Sequence, residues 1–154
     1  MTRKVKFFGT IICMIVLSVL IPSCGASGTA IILDNPGGTN RESAFGLTLG
    51  KWTYGVVTEE SPSRWFSIPV TNDVPFNLYI NNYRSLTNAG VVYYFQYPNG
   101  SRYGPYFSRT WSGTVGITGN LLIEVIFNSH YYREGFAITY RNDNTSPGSP
   151  NFWD

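Results

Sequence analysis

The chain is poor in the residues that most enzyme chemistry uses. Its 154 residues include two cysteines and one histidine, and only 13% are charged. A hydrolase of the Ser, His, acid type needs an imidazole to take the hydroxyl proton. The one imidazole here, His130, falls in a turn from Asn128 to Arg133 among tyrosines and arginine, where an exposed turn residue is expected. Zinc wants three or four Cys, His or carboxylate ligands, and none stand at recognisable spacing. Calcium wants a convergent set of oxygens, and no acid-rich loop is present. Asp34 with Asn35, and Asp143 with Asn142 and Asn144, come nearest to one. No cofactor and no metal are therefore expected.

Scarcity of charge narrows the partners as well. The formal charge of +2 counts Arg3, Lys4 and Lys6, which stand ahead of an apolar run. Without them the balance is about −1, and no Lys or Arg run survives, so neither nucleic acid nor an acidic membrane surface is favoured. Paired carboxylates for glycoside hydrolysis could be drawn from Glu59, Glu60, Glu124 and Glu134, but scattered acids always permit some pair. Glu59 and Glu60 precede Ser61-Pro62-Ser63 and read as a solvated loop. Glu124 stands out, because it shares a strand face with Leu122 and Ile126.

The basic residues and the apolar run from Phe7 to Ile21 have the layout of an export signal. A spanning anchor is the competing reading, but the run is about 15 residues where roughly 20 are needed, and no basic stop-transfer cluster follows. Next comes Ile21-Pro22-Ser23-Cys24-Gly25, which resembles the lipobox of bacterial lipoproteins. That resemblance implies diacylglyceryl transfer to the Cys24 thiol, cleavage before Cys24, acylation of the new amino group and attachment to a membrane through lipid. Two or more chains are what make such anchoring stable. Pro22 departs from the usual small or branched residue, and ordinary cleavage near Ala26-Ser27-Gly28, giving a secreted form, is the alternative. Gly25 is not the Asp that resembles an inner-membrane retention signal, which favours the outer membrane over the inner. Cys13 lies inside the apolar run and leaves with residues 1–23, so no disulfide remains. The remaining chain, about 131 residues, is long enough to bury roughly two thirds of its unfolded surface in one core.

Residues 24–43 are rich in Gly, Asn, Thr and Ser and read as a lipidated cysteine with a flexible tether. From 44 to 141 the pattern is strand after strand, with Gly, Pro and Asn between and no helical period longer than a turn. Leu47 and Leu49 alternate, as do Trp52, Tyr54 and Val56. Pro69, within Trp65 to Val70, points to an edge or a bulge. Phe76, Leu78 and Ile80 alternate with Asn77, Tyr79 and Asn81. Val91 to Tyr97 suits a central strand, and Pro98-Asn99-Gly100-Ser101 turns it back into a hairpin. Leu121, Ile123, Val125 and Phe127 share one face, and Phe136, Ile138 and Tyr140 share another. About eight short strands predict an all-β fold, a single antiparallel β-sandwich of jelly-roll type, with a closed barrel as the alternative. Residues 142–154 read as a disordered tail whose Phe152 and Trp153 can dock on the domain or a partner.

What is abundant is aromatic: 11 Tyr, 10 Phe and 4 Trp. Most of these serve as strand formers and core fillers. The remainder could form a face on which a glycan or a peptide stacks. The first candidate set is Asn77, Tyr79 and Asn81, which puts a flat ring between amides on the outward face of one strand. Tyr131 and Tyr132 are the second.

From Ala44 to Arg141 the layout resembles the bacterial pre-peptidase C-terminal domain, a β-sandwich appended to secreted enzymes and surface proteins. The residues that carry this are Leu47-Thr48-Leu49-Gly50, Gly55, Arg64-Trp65-Phe66-Ser67-Ile68, the Phe76-Leu78-Ile80 strand and Leu122-Ile123-Glu124-Val125. Arg64 stands where that family often has an acid. Phe127-Asn128-Ser129 and Gly135-Phe136-Ala137-Ile138-Thr139-Tyr140 resemble the closing strands of CUB domains, without the CUB cysteines or acidic calcium cluster. Both families are binding sandwiches, and neither resemblance transfers a ligand. The expectation is a non-catalytic cell-envelope lipoprotein, a tethered binding or structural module with an envelope glycan or protein as partner. The alternatives are a subunit of a surface assembly or a carboxylate-dependent glycan-active enzyme.

Overall fold

A computed structural model describes residues 36–83 and 90–152. Cys24, the export signal, the tether as far as residue 35 and Trp153 lie outside the described residues. Nine strands are present among the described residues: β1 (Phe45–Gly46), β2 (Thr53–Thr58), β3 (Ser63–Val70), β4 (Phe76–Asn82), β5 (Val91–Gln96), β6 (Arg102–Tyr106), β7 (Thr110–Gly113), β8 (Gly119–Phe127) and β9 (Arg133–Arg141). They form a five-stranded sheet, β1-β3-β8-β5-β6, facing a four-stranded sheet, β2-β9-β4-β7. Successive strands change sheet throughout except at the β5–β6 hairpin, which gives a jelly-roll-like sandwich. No barrel closes.

The all-β expectation therefore holds, with one strand more than foreseen. The first strand, β1, read from Leu47 and Leu49 but ending just before them, is two residues long and parallel to β3, the other pairings being antiparallel. Ahead of it, Gly38 and Trp65 exchange main-chain hydrogen bonds at 3.0 and 2.8 Å, so the end of the segment read as tether is joined to the sheet. Ser67 accepts from the Leu47 amide on the same side of β3. Pro69, two residues on, faces that side beyond the end of β1, where no strand needs its missing N–H.

The core forms where the inward rows of the two sheets meet. Phe66, Ile68, Tyr93, Phe95, Leu121, Ile123 and Val125 come from the larger sheet, and Val57, Leu78, Ile80, Phe136 and Ile138 from the smaller. Aromatic rings bridge the sheets edge to face, with Phe66 to Phe136 at 5.8 Å and Phe95 to Trp111 at 4.9 Å between centroids. The alternations read in β4, β8 and β9 all point inward as expected.

One reading differs. Leu47 is in the core, but Leu49 lies in a turn and is half exposed at 50%. Trp52, Tyr54 and Val56, whose alternation alone assigns no face, point outward, and the inward positions are Gly55 and Val57. A Cβ on Gly55 would lie 2.5 Å from the Phe136 ring, so the ring fills the inward space that the strand itself leaves empty.

Candidate functional site

Strand β4 carries the first candidate set as an outward row. Cross-strand register extends that row over the sheet: Asn77 stands beside Arg141 and Ser112, Tyr79 beside Thr139 and Thr110, and Asn81 beside Ala137, which pairs with Tyr54. Trp52 precedes Thr53, the partner of Ile138, and so falls next to Thr139. An outward face of an antiparallel sheet is ordinarily wet. Here Ala137 and Thr139 are 0% exposed and Asn77 is 7% exposed, so the face is covered.

The cover is the chain's own C-terminal segment. Arg141 Nε and Nη2 donate to the two Asp143 carboxylate oxygens at 2.9 and 3.1 Å, and the Thr145 amide and hydroxyl donate to Asp143 Oδ1. Hydrogen bonds from Arg141, then from Thr145, hold the Asp143 carboxyl far below the ordinary carboxylate range. From this turn the segment runs back over the sheet. Asn77 Nδ2 donates to the Asp143 main-chain oxygen at 2.6 Å, and the Tyr79 hydroxyl makes a long 3.4 Å bond to that of Thr145. At the far end the Phe152 ring stands edge-on to both Tyr54 and Tyr83, at 5.6 Å from each. Two polar atoms of the face, Trp52 Nε1 and Thr139 Oγ1, are buried with no hydrogen-bond partner. Asn77 and Tyr79 thus form one surface with a docked segment, and Asn81 shares their row.

The second set lies elsewhere. Tyr131 and Tyr132 occupy the loop between β8 and β9 and are 58% and 72% exposed. His130, in the same loop, is exposed. Nearby, Ser129 Oγ donates to the Glu134 carboxylate, which is 2% exposed and whose other oxygen has no partner.

Sequence reasoning missed a cluster on the opposite side of the sandwich. Register on the larger sheet sets Trp65, Glu124 and Tyr94 side by side on its outward face. Arg102 reaches Glu124 at 2.6 Å and stacks its guanidinium 3.8 Å from the Tyr94 ring centroid. Glu124 had drawn notice by its apolar strand, but partners on three other strands are set by register, which no local pattern reveals. Glu124 points out of one sheet while Glu134 points into the sandwich from the other, so the two do not flank a common site. Among the described residues no three His, Cys, Asp or Glu side chains gather where they could hold a metal.

The sequence matches no protein-family model, and no curated protein matches it. Among solved structures, the pre-peptidase C-terminal domain of collagenase from Bacillus anthracis is similar, with a TM-score of 0.48 and 8% identity over 64% of this chain and 94% of that one. It is of the family whose layout this sequence resembles. The periplasmic inhibitor of g-type lysozyme from Aeromonas hydrophila gives a TM-score of 0.38 and 11% identity over 64% of this chain and 96% of that one. Fold and function separate at such distances, and neither protein's target passes to this chain.

Proposed function

We propose that this chain is a non-catalytic lipoprotein of the cell envelope, a β-sandwich binding or structural module tethered through lipid on Cys24. The observation that carries the reading is Ile21-Pro22-Ser23-Cys24 directly after a basic and apolar leader, ahead of a cysteine-free domain. The sandwich supports it, since a core built from strands and aromatic rings needs no disulfide after export. Gly25 favours the outer membrane. The partner is an envelope glycan or protein, met by an aromatic outward face. A subunit of a larger surface assembly is the alternative, and the separate settings of Glu124 and Glu134 weigh against a carboxylate-dependent enzyme.

Cell fractionation tests the tether. The full chain is expected in the membrane fraction and Cys24→Ala in the soluble one, whereas a soluble wild type overturns the reading. A glycan array and pull-down from envelope extracts test binding: one saturable partner is expected, and none at all leaves only a structural role.

A further inference from the structure

We propose that the outward face of the four-stranded sheet is a docking face for an extended peptide bearing an aromatic residue, and that residues 143–152 occupy it in cis. The proposal rests on the reading of the domain as a binding module, and does not depend on lipidation of Cys24.

The way the segment is held shows what the face recognises. Its anchors beyond the Asp143 turn include two main-chain carbonyls, taken by Asn77 and Tyr79, and one ring set edge-on between Tyr54 and Tyr83. Carbonyls belong to every peptide, so the aromatic residue and its spacing are what the face can select for. Geometry fits an extended chain: Asn77 to Tyr83 spans roughly 20 Å at the rise of a strand, and Asp143 to Phe152 can reach about 30 Å. Arg141, at the end of β9, pairs with Asp143 at the start of the segment, so a carboxylate ahead of the aromatic residue favours the occupant.

The resident segment is an imperfect occupant. Trp52 Nε1 and Thr139 Oγ1, on residues adjacent by register, are buried beneath the covered face with no hydrogen-bond partner. Each buried polar group left unpaired is a cost that a better-fitted partner would remove. The segment has no strand of its own, is interrupted by Pro147 and Pro150, and is exposed from Asn142 to Ser146. These are the marks of a region that opens locally while the rest stays folded. A partner peptide with an aromatic side chain in the Phe152 position and a carbonyl over Trp52 and Thr139 would therefore displace it.

The test uses the full chain in detergent, the Phe152→Ala chain and a chain ending at Arg141, with a labelled synthetic peptide of residues 142–154 as probe. A cis occupant competes at high effective concentration, so the opened variants should bind the probe at least about tenfold more tightly than wild type. The gain should vanish with Asn77→Ala in the protein or Phe152→Ala in the peptide. Random peptides of the same length panned on the opened chain should converge on an aromatic residue. If the shortened chain does not fold, Phe152→Ala alone decides. Absence of saturable binding to a variant whose circular dichroism and melting remain native overturns the proposal. So does a neutral oligosaccharide binding in place of the peptide, or a doubled mass showing exchange of segments between two copies. Loss of peptide binding with membrane attachment intact removes this face alone, and the converse removes the lipoprotein reading alone.

Discussion

Gly55 is the residue on which the interior depends most sharply. The Phe136 ring lies where its Cβ would be, and that ring in turn meets Phe66 edge-on. Gly55→Ala should destabilise the domain by about 1 to 3 kcal/mol through overpacking. Denaturant titration should show a lower midpoint at unchanged slope. Tyr93 is the second telling residue. Its ring is in the core, its hydroxyl lies 3.1 Å from that of Ser108, and burial pushes the phenol above its ordinary value, as it does at Tyr97 and Tyr140. The folded state holds these phenols neutral, while the unfolded chain ionises them near pH 10. Their stabilisation is therefore complete below about pH 10 and is lost as pH rises through the folded values. A denaturation midpoint flat up to that pH and falling beyond it is expected, with Tyr93→Phe showing a shallower fall.

Among the elements, the C-terminal segment has the most consequence for its neighbours. Because it covers the smaller sheet, the outward row of β2 is apolar and aromatic, and the inward row contains a glycine. This inverts the usual pattern, so the apolar alternation of Trp52, Tyr54 and Val56 marks the outward face rather than the core. Where no segment interferes, alternation was legible: Phe76, Leu78 and Ile80 face inward as their sequence implies, and so do Leu121, Ile123 and Val125. The candidate row Asn77, Tyr79 and Asn81 was legible as an outward row for the same reason. What lies on it was not, since a hydrogen bond from Asn77 to Asp143 joins positions far apart in sequence. The Asp143 turn makes a pH prediction for this element. Its carboxyl is depressed in the folded state, so the anchor is present above the ordinary carboxylate value and persists as pH falls below it. Protection of the Thr145 amide, taken relative to its intrinsic exchange rate at each pH, should hold from neutral pH to about pH 4, and should fall only in stronger acid. Asp143→Ala should remove it throughout.

Taken whole, the molecule is a pair of sheets joined by inward aromatics and aliphatics. Phe95 touches Phe76, Tyr93, Tyr106 and Trp111, and so ties both sheets together. Phe95→Ala should cost about 3 to 5 kcal/mol, read as a loss of cooperative melting at lower temperature. A domain of this kind, without a disulfide, can be exported unfolded and completed outside on its own core. On the proposed reading its attachment depends on one residue, Cys24. Incorporation of labelled palmitate into the wild-type chain and Cys24→Ala measures this most directly. Label in the wild type and none in the variant is the predicted result, and an unlabelled wild type would contradict the account.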